Sequence, residues 1–340
     1  MSTPFRSRLA SGMEAMISFK ESLGYCRSTY EPHFKMIDRF CLEHYPECNG
    51  LSKELVMKWA QLHPEEHPNG ARRRIISIRE LGKYLNSVGQ EAYIYPSEFM
   101  SKIEQYKPYI FTDAELKALF FATDTGFKTK NAPYIRYVLP VIFRLTYTCG
   151  LRPGEVRNLK CSDVNLNTGK VYIRESKAYK DRIIMMSEDM LRLCKKYENF
   201  ICMVLPDREY FFPNKNGVMI GKQSLTTYFN KCCEAAGISN GSSKPRAYDL
   251  RHNYATRTMM KWLDDGRDLY TMLPYLSTYM GHYDFSQTAY YIHLLPERLT
   301  QSKAIDWNRF SELIPEVKQI RTTTSSGNVN NLSKMSKYRK

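Results

Sequence analysis

Between residues 94 and 111 the chain reads YIYPSEFMSKIEQYKPYI, with two prolines and no helical or strand period. Proline fixes φ and lacks an N–H, so such a stretch neither continues a helix nor enters the middle of a sheet. It reads as a linker, which rules out one continuous core. A chain of 340 residues with this break suits a domain over 1–93 and a second over 112–320. Hydrophobic residues make up 43% of the chain, enough for each part to bury a core of its own. The last stretch, 321–340, RTTTSSGNVNNLSKMSKYRK, is polar and basic with no core face, and predicts disorder.

The first part carries helical periods. Leu9, Met13, Met16, Lys20 and Leu23 fall on one face, with Gly24 as a stop. Phe34, Ile37 and Cys41 repeat the spacing. Ser52 is placed to cap a third helix with Leu55, Trp59 and Leu62 inward. Arg72, Arg73 and Arg74 open a fourth, above Ile75, Ile78, Gly82 and Leu85. This arginine run is either a solvated face or a contact with phosphates, and the phosphate reading is preferred.

The second part mixes periods. Thr112 and Glu115 in TDAEL form a capping box, so a helix starts there. A long apolar helix runs from about Pro133 to Cys149 and stops at Gly150. KVYIRE (170–175) and RIIMM (182–186) read as strands of a hairpin with Lys177 in its turn, and Ser187 caps the next helix. Further helices are expected near 223–236, 248–263, 270–280 and 286–294. The fold class is therefore mainly α with a small antiparallel β-sheet.

The formal net charge of +15 points to a polyanionic partner, nucleic acid above all. Nine scattered cysteines make no CxxC or zinc-finger spacing. The adjacent Cys232 and Cys233 read as packing residues. The N-terminus lacks the apolar run of a signal peptide, and no stretch approaches the roughly 20 apolar residues of a membrane span. The expectation is free thiols, a cytoplasmic location and no membrane partner.

Four segments carry chemistry. TYTCGLRPGEVRNLK places Arg152 just past a helix end, with Glu155 opening the next helix. An arginine held by a turn and a carboxylate is set up to meet a phosphate; the plainer reading is a surface arginine. Lys177, in ESKAYKDR, is by itself an ordinary solvated turn lysine, with Lys180 and Arg182 as nearby decoys. AYDLRHNYAT puts Arg251 and His252 on a helix, about 100° apart, so the two are not expected to serve one site equally. MGHYDFSQTAYYIHL has His282, then a short loop, then Tyr290 and Tyr291; a tyrosine pair by itself is more often core than catalytic.

Taken in order, these segments resemble the tyrosine recombinase (phage integrase) family. Its pattern is an arginine in GLRxxE, a lysine in a β-turn, an HxxR box, a GH or GW box, and a tyrosine nine residues after that histidine. Here stand Arg152 with Glu155, then Lys177, then Arg251 in YDLRH, then His282, with Tyr291 nine residues on. The match covers the second domain; the first resembles the family's helical, SAM-like core-binding domain in layout only. One departure matters: Tyr248 occupies the HxxR histidine's place. A phenol donates a hydrogen bond, but with a pKa of about 10 it is a poor base near neutrality.

The resemblance implies a site-specific recombinase of integrase or transposon type. Arg152 and Arg251 would clamp the non-bridging phosphate oxygens and His282 would donate a third hydrogen bond. Tyr291 would be the nucleophile, Lys177 the general acid, and Glu155 would orient Arg152. Tyr290 is read as packing, His252 as anchoring its helix, and Tyr283 and His293 as structural neighbours. The product is a 3′-phosphotyrosyl link that stores the bond energy, so no cofactor, metal or ATP is implied. Two domains would close on double-stranded DNA as a C-shaped clamp, with a homotetramer exchanging strands through a Holliday junction. The segment with Ile305, Trp307, Phe310 and Leu313 either docks on a neighbouring protomer or packs on its own domain. Two alternatives stay open: a type IB topoisomerase-like enzyme, and a DNA-binding accessory protein that has lost catalysis.

Overall fold

In the computed structural model, residues 5–61, 65–104, 106–125, 134–174, 181–238 and 244–294 are described. Lys177, the segment of Ile305, Trp307, Phe310 and Leu313, and the tail at 321–340 lie outside them. The chain divides into two compact units, Met1–Lys107 and Pro108–Lys340.

The first unit is helical: α1 (Ala10–Ser22), α2 (Glu31–His44), α3 (Lys53–Trp59) and α4 (Pro68–Ser87). Met13, Met16 and Ile17 of α1 meet Phe34, Ile37, Leu55, Trp59, Ile78 and Leu85 in one core. Ile17 takes the place expected of Leu23, which follows the last helical turn and is exposed. Ser52 caps α3 by accepting from the Leu55 amide. The arginine run does not open α4. Pro68 does, at the first helical position where its missing N–H costs nothing, and His67 caps it.

That shift decides the fate of the three arginines. Arg73 is exposed. Arg72 is half-buried and donates to the Ser101 carbonyl. Arg74 faces the core and is only 1% exposed, so its expected phosphate contact is corrected. Its guanidinium donates to both oxygens of Glu66, to the Gln61 carbonyl at 3.0 Å and to the Trp59 carbonyl, and lies over the Trp59 ring. These partners take four of its five N–H donors in the interior, and its 1% exposure keeps it from the surface.

The expected linker is divided between the units. Tyr95 is buried in the first core, and the Asn69 amide exchanges two hydrogen bonds with the Glu104 backbone. Phe111 already belongs to the second core, its amide donating to Asn253.

In the second unit α5 (Asp113–Thr125) starts with the Thr112/Glu115 capping box, the two side chains bonding each other's backbone amides. Helix α6 (Ile135–Thr148) buries Ile135, Val138, Leu139, Val141, Ile142, Phe143 and Leu145, apolar on nearly every side, and is the central element. It leads through Gly150 into the short α7 (Pro153–Asn158). A three-stranded antiparallel sheet follows, β1 (Val164–Asn165), β2 (Lys170–Ile173) and β3 (Arg182–Met185), in that order. Two residues are too few to show an alternating pattern, so β1 has no sequence signal of its own. Then come α8 (Glu188–Val204), capped by Ser187, and α9 (Lys222–Ala235), α10 (Asp249–Asp264) and α11 (Leu269–Met280). The helix expected over 286–294 is a single turn, α12 (Ser286–Ala289), followed by 3-10 turns over Tyr290–Leu294.

Two cores share this unit. The larger surrounds α6 and includes Cys232 and Cys233. The smaller joins α10, α11 and the 3-10 turns through Ala255, Met259, Leu273, Leu276, Tyr291 and Ile292. Helix α10 belongs to both, with Leu250 in the larger core and Ala255 in the smaller. Arg251 therefore stands at their seam. All nine cysteines are free thiols. Among the described residues no helix is long and apolar enough to cross a membrane.

Candidate active site

Two glycines shape the site. Gly150 ends α6 at φ 60°, and a Cβ there would stand 2.4 Å from the Tyr254 ring. Gly281 ends α11 in the left-handed region at φ 65°, and a Cβ would press on the Arg182 guanidinium at 2.8 Å. Only glycine meets both demands, of backbone conformation and of close approach. Each turn aims a carbonyl at an arginine from the other side of the site. Arg251 donates to Gly150 and to Met280, both at 2.7 Å. Arg152 donates to Gly281 at 2.7 Å.

Glu155 holds the arginines in register. It accepts from the Arg152 side chain at 2.6 Å and from the Arg152 amide at 2.9 Å. It also receives a two-pronged pair from Arg182, at 3.0 and 2.8 Å. Its side chain is 7% exposed. Burial works against its ionisation, but Arg182 and then Arg152 outweigh this and hold the carboxyl at about 2. Arg182 was a decoy in the sequence. It is in fact the partner that anchors Glu155, and it also donates to the Tyr279 carbonyl at 2.8 Å. Its signal was present: an arginine on a strand whose neighbour across the hairpin is Ile173.

Arg251 is wholly buried, and its Nε finds no hydrogen-bond partner. Burial first, and Arg152 next, work against its charge. A guanidinium with an unused donor in such a place is prepared for an anion. A cleft of about 590 Å³ is lined by Arg152, Arg157, Arg174, Lys222, Arg246 and Tyr248, and not by Arg251 itself. Tyr248 sits at the start of α10, its ring 5.0 Å from that of His252.

His282 follows Gly281 and bonds Thr288 Oγ1 through Nδ1 at 2.7 Å. Burial, and then the charges of Arg251 and Arg152, hold its ring down at about 3, so it is neutral. A neutral imidazole has one N–H donor and one acceptor nitrogen, so the ring bonds Thr288 at Nδ1 and keeps Nε2 for a ligand. The His282 ring stacks at 6.0 Å on Tyr291.

Tyr291 is 2% exposed. Burial pushes its phenol well above the ordinary range, and the Arg251 charge pulls the other way. Its hydroxyl is 2.9 Å from Nδ1 of His252. The sequence reads His252 as an anchor of its helix, and in the structure its ring also reaches the tyrosine oxygen. The separation of about 100° between Arg251 and His252 does not keep them apart. Arg251 points to the Gly150 and Met280 carbonyls while His252 points to Tyr291, so the two flank one site. Tyr290 is half-buried.

Arg152, Glu155, Arg251, His282 and Tyr291 thus converge from α7, α10, the end of α11 and the last 3-10 turns. The phage integrase family model matches residues 110–298, more than half of the chain. The chain belongs to the phage integrase family, the tyrosine recombinases. The recombinase is 25% identical over 306 residues to a putative integrase/recombinase, y4rB, of Sinorhizobium fredii, covering 87% of this chain and 96% of that one. It is 28% identical over 286 residues to the tyrosine recombinase XerD of Pseudomonas putida, covering 82% and 89%. The fold resembles the XerH site-specific recombinase bound to a palindromic difH substrate after cleavage, with TM-score 0.62 and 18% identity over 88% of this chain and 84% of that one.

Proposed function

We propose that this recombinase cuts and rejoins double-stranded DNA at a specific recombination site, using Tyr291 as its nucleophile. The observation that carries this is the pair of guanidiniums, Arg152 and Arg251, locked by the Gly281, Gly150 and Met280 carbonyls beside the buried hydroxyl of Tyr291.

The chemistry follows from charge. A phosphodiester carries one negative charge, and its transition state spreads more over the equatorial oxygens. Two fixed guanidiniums meet those oxygens without reorganising, which is the main source of acceleration in such sites. His282 adds a donor from Nε2. The Tyr291 oxygen forms a bond to phosphorus as the bond to the 5′-oxygen breaks, giving a 3′-phosphotyrosyl link and a free 5′-hydroxyl. Lys177, outside the described residues, is assigned the proton for the leaving oxygen. Attack by a 5′-hydroxyl from a second duplex reverses the step. Strand exchange then proceeds through a Holliday junction in a tetramer, with the two units forming a C-shaped clamp on each duplex. The net charge of +15 and the exposed Arg73 fit a partner made of phosphates.

The test is a nicked suicide duplex carrying the DNA that flanks the protein's own gene. A covalent adduct forms with the wild-type chain and with Tyr290→Phe, and not with Tyr291→Phe. An adduct that persists in Tyr291→Phe rejects the assignment. Binding without any adduct favours the accessory-protein reading.

A further inference from the structure

The step left without an agent is the removal of the Tyr291 proton. Tyr248 stands where the family pattern has a histidine, and a phenol is a poor base near neutrality. A second imidazole lies one helical turn further along α10. His252 Nδ1 is 2.9 Å from the Tyr291 hydroxyl, within direct proton-transfer reach. The ring of Tyr248 lies against that of His252 at 5.0 Å, so the residue in the usual histidine's place packs on the imidazole that contacts the nucleophile. From this geometry we propose that His252 takes the proton from Tyr291 as its oxygen attacks phosphorus, and returns it when the strand is rejoined. This rests on the assignment of Tyr291 as nucleophile.

The transfer balances. The phenolic proton passes to Nδ1, the oxygen–phosphorus bond forms, and the 5′-oxygen departs with a proton from the general acid. In rejoining, His252 protonates the phenolate that leaves phosphorus. The accepting tautomer keeps Nδ1 free of hydrogen before attack.

The surroundings explain why a base is needed and when it becomes effective. The groups facing His252 are Arg251 and Tyr248 on its own helix, Arg246 just before that helix, Tyr291 on the 3-10 turns, and His282 after α11. Burial, then Arg251 and Arg246, hold the free ring at about 4, neutral and weakly basic. An incoming phosphodiester neutralises Arg251. That removes one influence that depresses His252, and at the same time removes the charge that favours ionised Tyr291. Substrate binding therefore raises the basicity of the histidine just as the tyrosine loses its electrostatic help.

The experiment measures single-turnover adduct formation on the nicked duplex for His252→Gln and His252→Asn in the full-length chain, with DNA affinity measured separately. Adduct formation should fall by roughly 100-fold or more, the range of a general base starting at about 100-fold, with affinity retained. The residual rate should climb with pH, as hydroxide replaces the imidazole. Placing a more acidic, fluorinated tyrosine at 291 should recover much of the loss in His252→Gln and change the wild type far less. Adduct formation at the wild-type rate in both variants overturns the proposal. So does a defect that the fluorinated tyrosine leaves untouched, which marks a purely structural role. A readout without DNA covers misfolding: fluorine NMR of that tyrosine follows its ionisation, and His252→Gln should move the midpoint. An unmoved midpoint also overturns the proposal. Loss of the nucleophile assignment itself looks different, as an adduct that survives Tyr291→Phe.

Discussion

Replacing Glu155 by glutamine removes one charge and keeps the shape, which isolates what the carboxylate contributes. In the folded chain it is held at about 2 by Arg182 and Arg152. Against an ordinary value of about 4.3, that difference corresponds to roughly 3 kcal/mol of stability at neutral pH. An independent route agrees: removing one partner of a buried ion pair costs about 3–5 kcal/mol, and Glu155 is 7% exposed with Arg182 at 9%. The sign is that of a lowered carboxyl. The contribution is full above about pH 5, falls as pH drops through the ordinary value, and is below half by about pH 3. Thermal unfolding of the second unit, followed by calorimetry, reads this directly. At neutral pH Glu155→Gln should lower its Tm by roughly 6–12 °C, taking about 2–4 °C per kcal/mol for a unit of this size. The gap should narrow steadily in acid. A variant that melts with the wild type at neutral pH, or a gap that acid leaves unchanged, would refute the view that Glu155 is the electrostatic anchor of the two arginines.

Other outcomes follow from single contacts. Gly150→Ala combines a left-handed backbone with a Cβ 2.4 Å from the Tyr254 ring, so urea unfolding should show a loss of roughly 2–5 kcal/mol. Adduct formation should fall with it, because the same turn presents the carbonyl that holds Arg251. In the first unit Arg74→Ala should cost about 3–5 kcal/mol by removing the buried ion pair to Glu66 and the donors to the Trp59 and Gln61 carbonyls. Arg73→Ala should leave stability unchanged and instead reduce the salt dependence of DNA binding by about one counterion. Tyr248→His should keep or raise the cleavage rate of the wild type, and a complete loss would show that the phenol has a specific task.

Much of the site could be read along the chain because the chemistry is written in short local segments. GLRPGE and YDLRH hold their residues at separations that a single turn or helix fixes, whereas GHY…YY runs from the end of α11 past α12 to the 3-10 turns, a short span whose spacing is still fixed locally. Caps were equally legible, since Ser52, Thr112 and Ser187 bond amides three residues away. What failed were readings that depend on a partner far off in sequence. Arg74 looked like its neighbours Arg72 and Arg73 until the helix phase turned it onto Glu66 and the Trp59 carbonyl. Arg182 looked like a turn decoy, yet it meets Glu155 across 27 residues. His252, read as an anchor of its helix, also meets Tyr291 across 39.

The sequence by itself determined that the chain has two parts, that its second part is helical with a small sheet, and which arginines, histidine and tyrosine form the ordered set. Periodicity, caps and motif spacing are local, and they need no knowledge of what packs where. Only the tertiary structure decided how that set is held and how Tyr291 is served. The Gly150 and Gly281 turns bring carbonyls from two helix ends onto two arginines, and the seam between two cores buries Arg251 beside Tyr291. Helix phase and packing then turn His252 toward the phenol, a contact that exists only once α10 and the last turns of the described chain have met.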